Sequence, residues 1–141
     1  MREIIFRGKR KGDGKWVEGY YVMVDPVDMP DRIREPKAVI FPVYATCNWF
    51  NKYFYNNVEV LPETVGQFTG FCDENSRDVF EGDIVKGYNF LHMDRTIYKV
   101  VFAGNGFYYQ DEDEVCWHPD NIDNDVVIGN IYDNPELLEA E

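Results

Sequence analysis

The apolar positions of this chain come in short runs of β-branched and aromatic residues, cut at close intervals by Gly, Asn, Asp and Pro. That grammar predicts strands joined by tight turns rather than helices with a 3.6-residue stripe. Ile4-Ile5-Phe6-Arg7 is one run, and the Asp13-Gly14 pair after it predicts a hairpin turn leading into Trp16–Val24. Gly19 interrupts that strand and predicts a bulge or bend. Residues 25–36, rich in Pro and Asp, read as an exposed loop. Ala38–Phe41, Val58–Leu61, Val79–Val85, Tyr98–Phe102, Phe107–Tyr109 and Val126–Tyr132 complete the set of strands. The tail alone reads as helical, with Asn134 as a cap and Pro135 at the first position, over residues 134–141.

Several of these phrases occur twice. Val17-Glu18-Gly19-Tyr20-Tyr21-Val22 aligns with Phe80-Glu81-Gly82-Asp83-Ile84-Val85, and Val39-Ile40-Phe41 with Val100-Val101-Phe102. The first-strand motif occurs at 4–8, 64–70 and 127–133. The spacing predicts a unit of about 62 residues used twice, about 4–66 and about 64–133, within one all-β domain spanning 1–141. A chain that starts and ends on the same motif predicts a barrel-like closure, which removes sheet edges.

These phrases also carry a family likeness. Pro62-Glu63-Thr64-Val65-Gly66-Gln67-Phe68-Thr69-Gly70 and Phe80-Glu81-Gly82-Asp83-Ile84-Val85 are the specific ones, and Ile128-Gly129-Asn130-Ile131-Tyr132-Asp133-Asn134-Pro135 is a further phrase. With Ile4–Lys9 and Gly14–Tyr21 they resemble, in order, the YopX family of small bacteriophage and prophage proteins. The resemblance implies a β-rich fold and a viral or prophage origin. It implies no activity and brings over no catalytic residues. The aromatic segment 44–56 and the acidic segment 111–125 match no part of that pattern.

Composition narrows the function classes. The 141 residues carry 14 Lys+Arg against 26 Asp+Glu, a net charge of −12, and 16% aromatics. So many aromatics exclude a wholly disordered acidic chain. The acidity disfavours direct nucleic-acid binding, which needs Lys and Arg against phosphates, and disfavours an anionic membrane. The charge is uneven. Residues 1–62 hold ten bases and eight acids, a net of +2, and residues 63–141 hold four bases and eighteen acids, a net of −14. No apolar run approaches a membrane span, and Ile4-Ile5-Phe6 is too short for a signal peptide, which points to the cytoplasm of the bacterial host. Three scattered cysteines, Cys47, Cys72 and Cys116, predict reduced, buried thiols rather than a disulfide framework.

The chemistry-bearing residues sort as follows. Glu18-Gly19 and Glu81-Gly82-Asp83 read as structural bends, with glycine taking the unusual backbone and the acids accepting nearby N–H groups. The opposing reading is a paired-carboxylate enzyme using a divalent ion on nucleotides or nucleic acid. Asp111-Glu112-Asp113-Glu114 lacks the spacing of a dedicated calcium loop and reads as a solvated acidic loop. Cys116-Trp117-His118 lacks the paired knuckles of structural zinc. No metal and no cofactor is expected. Trp49, Phe50, Tyr53, Tyr55, Tyr108, Tyr109 and Trp117, with the acids Asp111 to Glu114, are the candidates for binding a protein partner or a second copy, because Tyr and Trp dominate interface hot spots. The expected function is therefore binding rather than catalysis.

Overall fold

In the computed structural model, residues 4–24, 36–42 and 57–139 are described. The chain divides into two compact units, Met1–Gln67 and Phe68–Glu141. All regular structure among the described residues is β-strand or short 3-10 turn.

The first unit contains β1 (Phe6–Lys9), β2 (Trp16–Val24), β3 (Lys37–Pro42), β4 (Val58–Glu59) and the start of β5 (Gly66–Cys72). They form an antiparallel sheet in the order β4-β3-β2-β1-β5. The β1–β2 turn is the one the Asp-Gly pair predicts: Gly14 takes φ 72° and Asp13 Oδ1 accepts the Lys15 N–H at 3.0 Å. Gly19 is not at positive φ. A Cβ there would collide with the Phe41 carbonyl of β3, so close strand approach rather than a bend requires glycine. Val17, Ala38, Ile40 and Val60 form the core, with Tyr21, Val58 and Val65 against it. Each such valine or isoleucine contributes about 1.5–3 kcal/mol through removal from water. The Pro62–Thr64 turn explains part of the family phrase. The Thr64 hydroxyl accepts the Lys9 N–H at 2.9 Å and donates to the Leu61 carbonyl at 2.6 Å.

The second unit contains the rest of β5, β6 (Asp78–Phe80), β7 (Asp83–Asn89), β8 (Asp94–Ala103), β9 (Gly106–Gln110), β10 (Cys116–Trp117) and β11 (Ile122–Asn130). The latter part of β5 pairs with β6, and the others form an antiparallel sheet in the order β10-β9-β8-β7-β11. Its core is Val79, Val85, Tyr98, Val100, Tyr109, Ile122 and Val127, with Phe71 and Trp117 against it. Tyr98 and Tyr109 stack with centroids 6.0 Å apart. The turn after β5 is organised by the buried Asp73, whose Oδ1 accepts the Asn75 and Arg77 N–H groups and whose Oδ2 accepts that of Val127, each at 2.9 Å.

Four expectations change. Both sheets are open, with two end strands each, so no closed barrel forms among the described residues. The tail is a 3-10 turn at Pro135–Leu138 rather than an α-helix. The Asn134 side chain accepts the Asn130 N–H instead of capping, and a single turn cannot repay helix nucleation. Cys72 and Cys116 are exposed rather than buried, whereas Cys47 lies outside the described residues.

The structure does not confirm the two-unit repeat. β2 (Trp16–Val24) is continuous, whereas its counterpart, read from the sequence as one strand over Val79–Val85, is broken at Glu81-Gly82 into β6, which pairs with β5, and β7, which pairs with β8 and β11, and the registers differ as well. Gly8↔Val17 would map onto Gly70↔Phe80, and the observed pair is Phe68↔Phe80. Val22↔Val39 would map onto Val85↔Val100, and the observed pair is Val85↔Tyr98. Each is shifted by two residues, which preserves the face each side chain occupies. The closing strands differ outright: β5 pairs with β1, whereas β11 pairs with β7.

Candidate partner-binding surface

Strand β7 leads into a tight turn built by one buried side chain. Asn89 is fully buried, its Nδ2 donates to the Tyr98 hydroxyl at 3.2 Å, and its Oδ1 accepts the N–H groups of Leu91 at 2.9 Å and His92 at 3.3 Å. Its carbonyl accepts the Met93 N–H at 2.7 Å, and Met93 takes φ 54°. A turn held this way has its apolar side chains directed away from the core: Phe90 is 58% exposed, Leu91 75% and Met93 76%. Tyr88 supports Phe90 edge-on at 5.6 Å. Sequence reasoning passed over this tip. The available signal was an Asn and an Asp, residues 89 and 94, bracketing an apolar run too short for a strand.

The acidic loop between β9 and β10 is organised by Asp111. Its Oδ1 accepts the N–H groups of Asp113 at 2.9 Å and Val115 at 3.0 Å, and its Oδ2 accepts the Trp117 indole N–H at 2.9 Å. Burial alone would raise the Asp111 pKa, but those three donors and the nearby His92 outweigh it and hold the carboxyl below its usual value. Glu112, Asp113 and Glu114 are exposed, and Glu114 takes φ 64°. Trp117 is half-buried, and His92 from the tip lies edge-on to it at 5.0 Å.

The other candidate residues fall in different places. Tyr108 is half-buried and donates to Asn105 Oδ1 at 3.0 Å. Tyr109 is fully buried and belongs to the core, so it presents no surface. Burial and then its hydrogen bond to Asp125, 2.6 Å long, push its phenol pKa up. Trp49, Phe50, Tyr53 and Tyr55 lie outside the described residues.

The bend motifs do not converge on a site. Glu18 is exposed on β2 and faces Arg7 in the strand register. Glu81 and Gly82 form the corner into β7. Gly82 takes φ 92° beside the Tyr132 ring, and Asp83 is 1% exposed with Oδ2 accepting the Phe80 N–H at 2.8 Å. That is the acid-in-a-turn role read from the sequence. Among the described residues no three His, Cys, Asp or Glu side chains gather as metal ligands. An open groove of about 520 Å³ at the β1–β2 turn is lined by Arg10, Lys11, Asp13, Asn57 and Glu59 and holds none of Glu18, Glu81 or Asp83. The exposed Cys72 thiol donates to Asp78 at 3.5 Å; desolvation, that bond and the charges of Asp78 and Asp73 raise its pKa.

Comparison with known proteins agrees with the fold. The crystal structure of protein EF1440 from Enterococcus faecalis superposes with a TM-score of 0.52 at 20% sequence identity, over 98% of this chain and 99% of that one. No curated protein matches the sequence. The model of the family described as YopX protein matches residues 5–139, and the chain belongs to the YopX family.

Proposed function

We propose that this YopX-family chain is an accessory protein of phage or prophage origin that works in the bacterial cytoplasm by binding another protein. The observation that carries the reading is the β7–β8 tip, where Phe90, Leu91 and Met93 are held in water by the buried Asn89. Exposing three large apolar side chains in one turn is unfavourable unless something covers them, and such patches mark interaction sites. The likeness of the two halves in strand sequence supports an origin from one repeated unit of about 62 residues.

The test is capture from host lysate with the full chain as bait, beside a Leu91→Ser/Met93→Ser variant. A protein captured by the native chain and lost by the variant supports the reading. Equal capture by both removes the tip from it. A second copy of the chain recovered in place of a host protein identifies self-association as the function of the surface.

A further inference from the structure

The apolar tip and the acidic loop are physically joined. His92, on the tip, packs edge-on against Trp117 at 5.0 Å, and the Trp117 indole N–H is held by Asp111 at 2.9 Å. The same carboxylate orders the backbone of the loop through Asp113 and Val115. Val115, 47% exposed, adds a further apolar side chain on that loop. The result is one platform with apolar side chains on the tip and exposed carboxylates on the loop. The base next to the tip, Arg95, donates to the Asn124 carbonyl at 3.4 Å, and residues 105–141 contain no Lys or Arg at all.

Resting on the binding reading above, we infer that the occupant of this platform is a protein segment both apolar and basic, with Lys or Arg flanking the side chains that meet Leu91 and Met93. Burial of the tip supplies the affinity, at roughly 25 cal/mol per Å² of apolar surface removed from water. The carboxylates supply orientation and partner choice, since complementary charge speeds encounter and like charge rejects wrong partners. An apolar loop tip is also what a membrane-inserting protein carries. Here the adjoining carboxylates repel the anionic lipid and the nucleic-acid phosphates that would otherwise compete.

The experiment uses the full chain and three labelled amphipathic helical peptides of equal length, with Leu along one face at a 3.6-residue period and Lys, Gln or Glu on the other, and vesicles of phosphatidylglycerol. The Leu/Lys peptide is expected to bind about tenfold or more tighter than Leu/Gln at low salt, with the gap closing at about 0.5 M salt. Leu91→Ser/Met93→Ser is expected to weaken Leu/Lys binding by about tenfold, while Glu136→Gln/Glu139→Gln, on the tail, changes it less than about twofold. Trp117→Phe keeps a ring against His92 and removes the N–H to Asp111, and is expected to narrow the Lys-over-Gln preference. Equal binding of Leu/Lys and Leu/Gln overturns the basic partner and leaves the binding reading standing. Leu/Lys binding that ignores the tip variant overturns the platform, because diffuse charge then explains it. Tip-dependent binding to the vesicles with no peptide bound overturns both in favour of a lipid surface.

Discussion

The two ends of β7 are built by the same device and do opposite things. At its start, the buried Asp83 carboxylate accepts the Phe80 N–H, and the corner tucks Phe80 away at 3% exposure. At its end, the buried Asn89 amide accepts the N–H groups of Leu91 and His92, and the turn leaves Phe90, Leu91 and Met93 in solvent. A polar side chain that satisfies turn amides is therefore silent about function. What differs is where the turn leaves its apolar residues: folded in, they are core; held out, they are exposed surface.

The sharpest way to break the comparison is Asn89→Ala. It removes the Tyr98 partner and the one oxygen that accepts both turn N–H groups at a fully buried position, and is expected to lower stability by roughly 3 kcal/mol and to abolish partner capture. Denaturant unfolding measures the first effect. Gly82→Ala strains the opposite corner, at φ 92° with Tyr132 against it, and should cost about 2 kcal/mol while leaving capture by the folded protein intact. Loss of capture in folded Gly82→Ala would erase the distinction between the two ends.

A third effect appears in acid. Burial alone would raise the Asp73 pKa, but hydrogen bonds from Val127, Arg77 and Asn75, and then the charge of Arg77, outweigh it and lower the value. A carboxyl whose folded pKa is depressed contributes stability that is complete above the unfolded value of about 3.9 and is lost as pH falls through the folded value. Unfolding followed from neutral pH into that range should therefore steepen for the native chain and flatten for Asp73→Asn. The smallest effect on stability belongs to Leu91→Ser/Met93→Ser, within about 0.5 kcal/mol, because those side chains are already in water. A large loss of stability in that variant would show that the tip packs rather than presents.

Much of the local architecture was legible in the chain. Asp13-Gly14 announced its hairpin and Glu81-Gly82-Asp83 its corner, because each depends on side chains satisfying amides a few residues away. The C-terminal turn misled for the converse reason. Asn134 has the chemistry of a cap, but its oxygen is taken by the Asn130 N–H. Tyr109 misled because an aromatic next to an acidic loop reads as an interface residue until the fold buries it and gives its hydroxyl to Asp125.

The sequence by itself determined the all-β class, some of the turns and the family, since short β-branched runs, turn chemistry and long shared phrases are local properties. Only the tertiary structure decided which strands pair, where the registers fall two residues away from the repeat, and that β11 joins β7 while β5 joins β1. Strand pairing is chosen by long-range burial and backbone hydrogen bonding, and two-residue shifts keep every side chain on its face, so the local pattern cannot tell them apart. The same reason hid the tip: Asn89 is buried against Tyr98 of the neighbouring strand, a cross-strand contact that the local pattern does not contain.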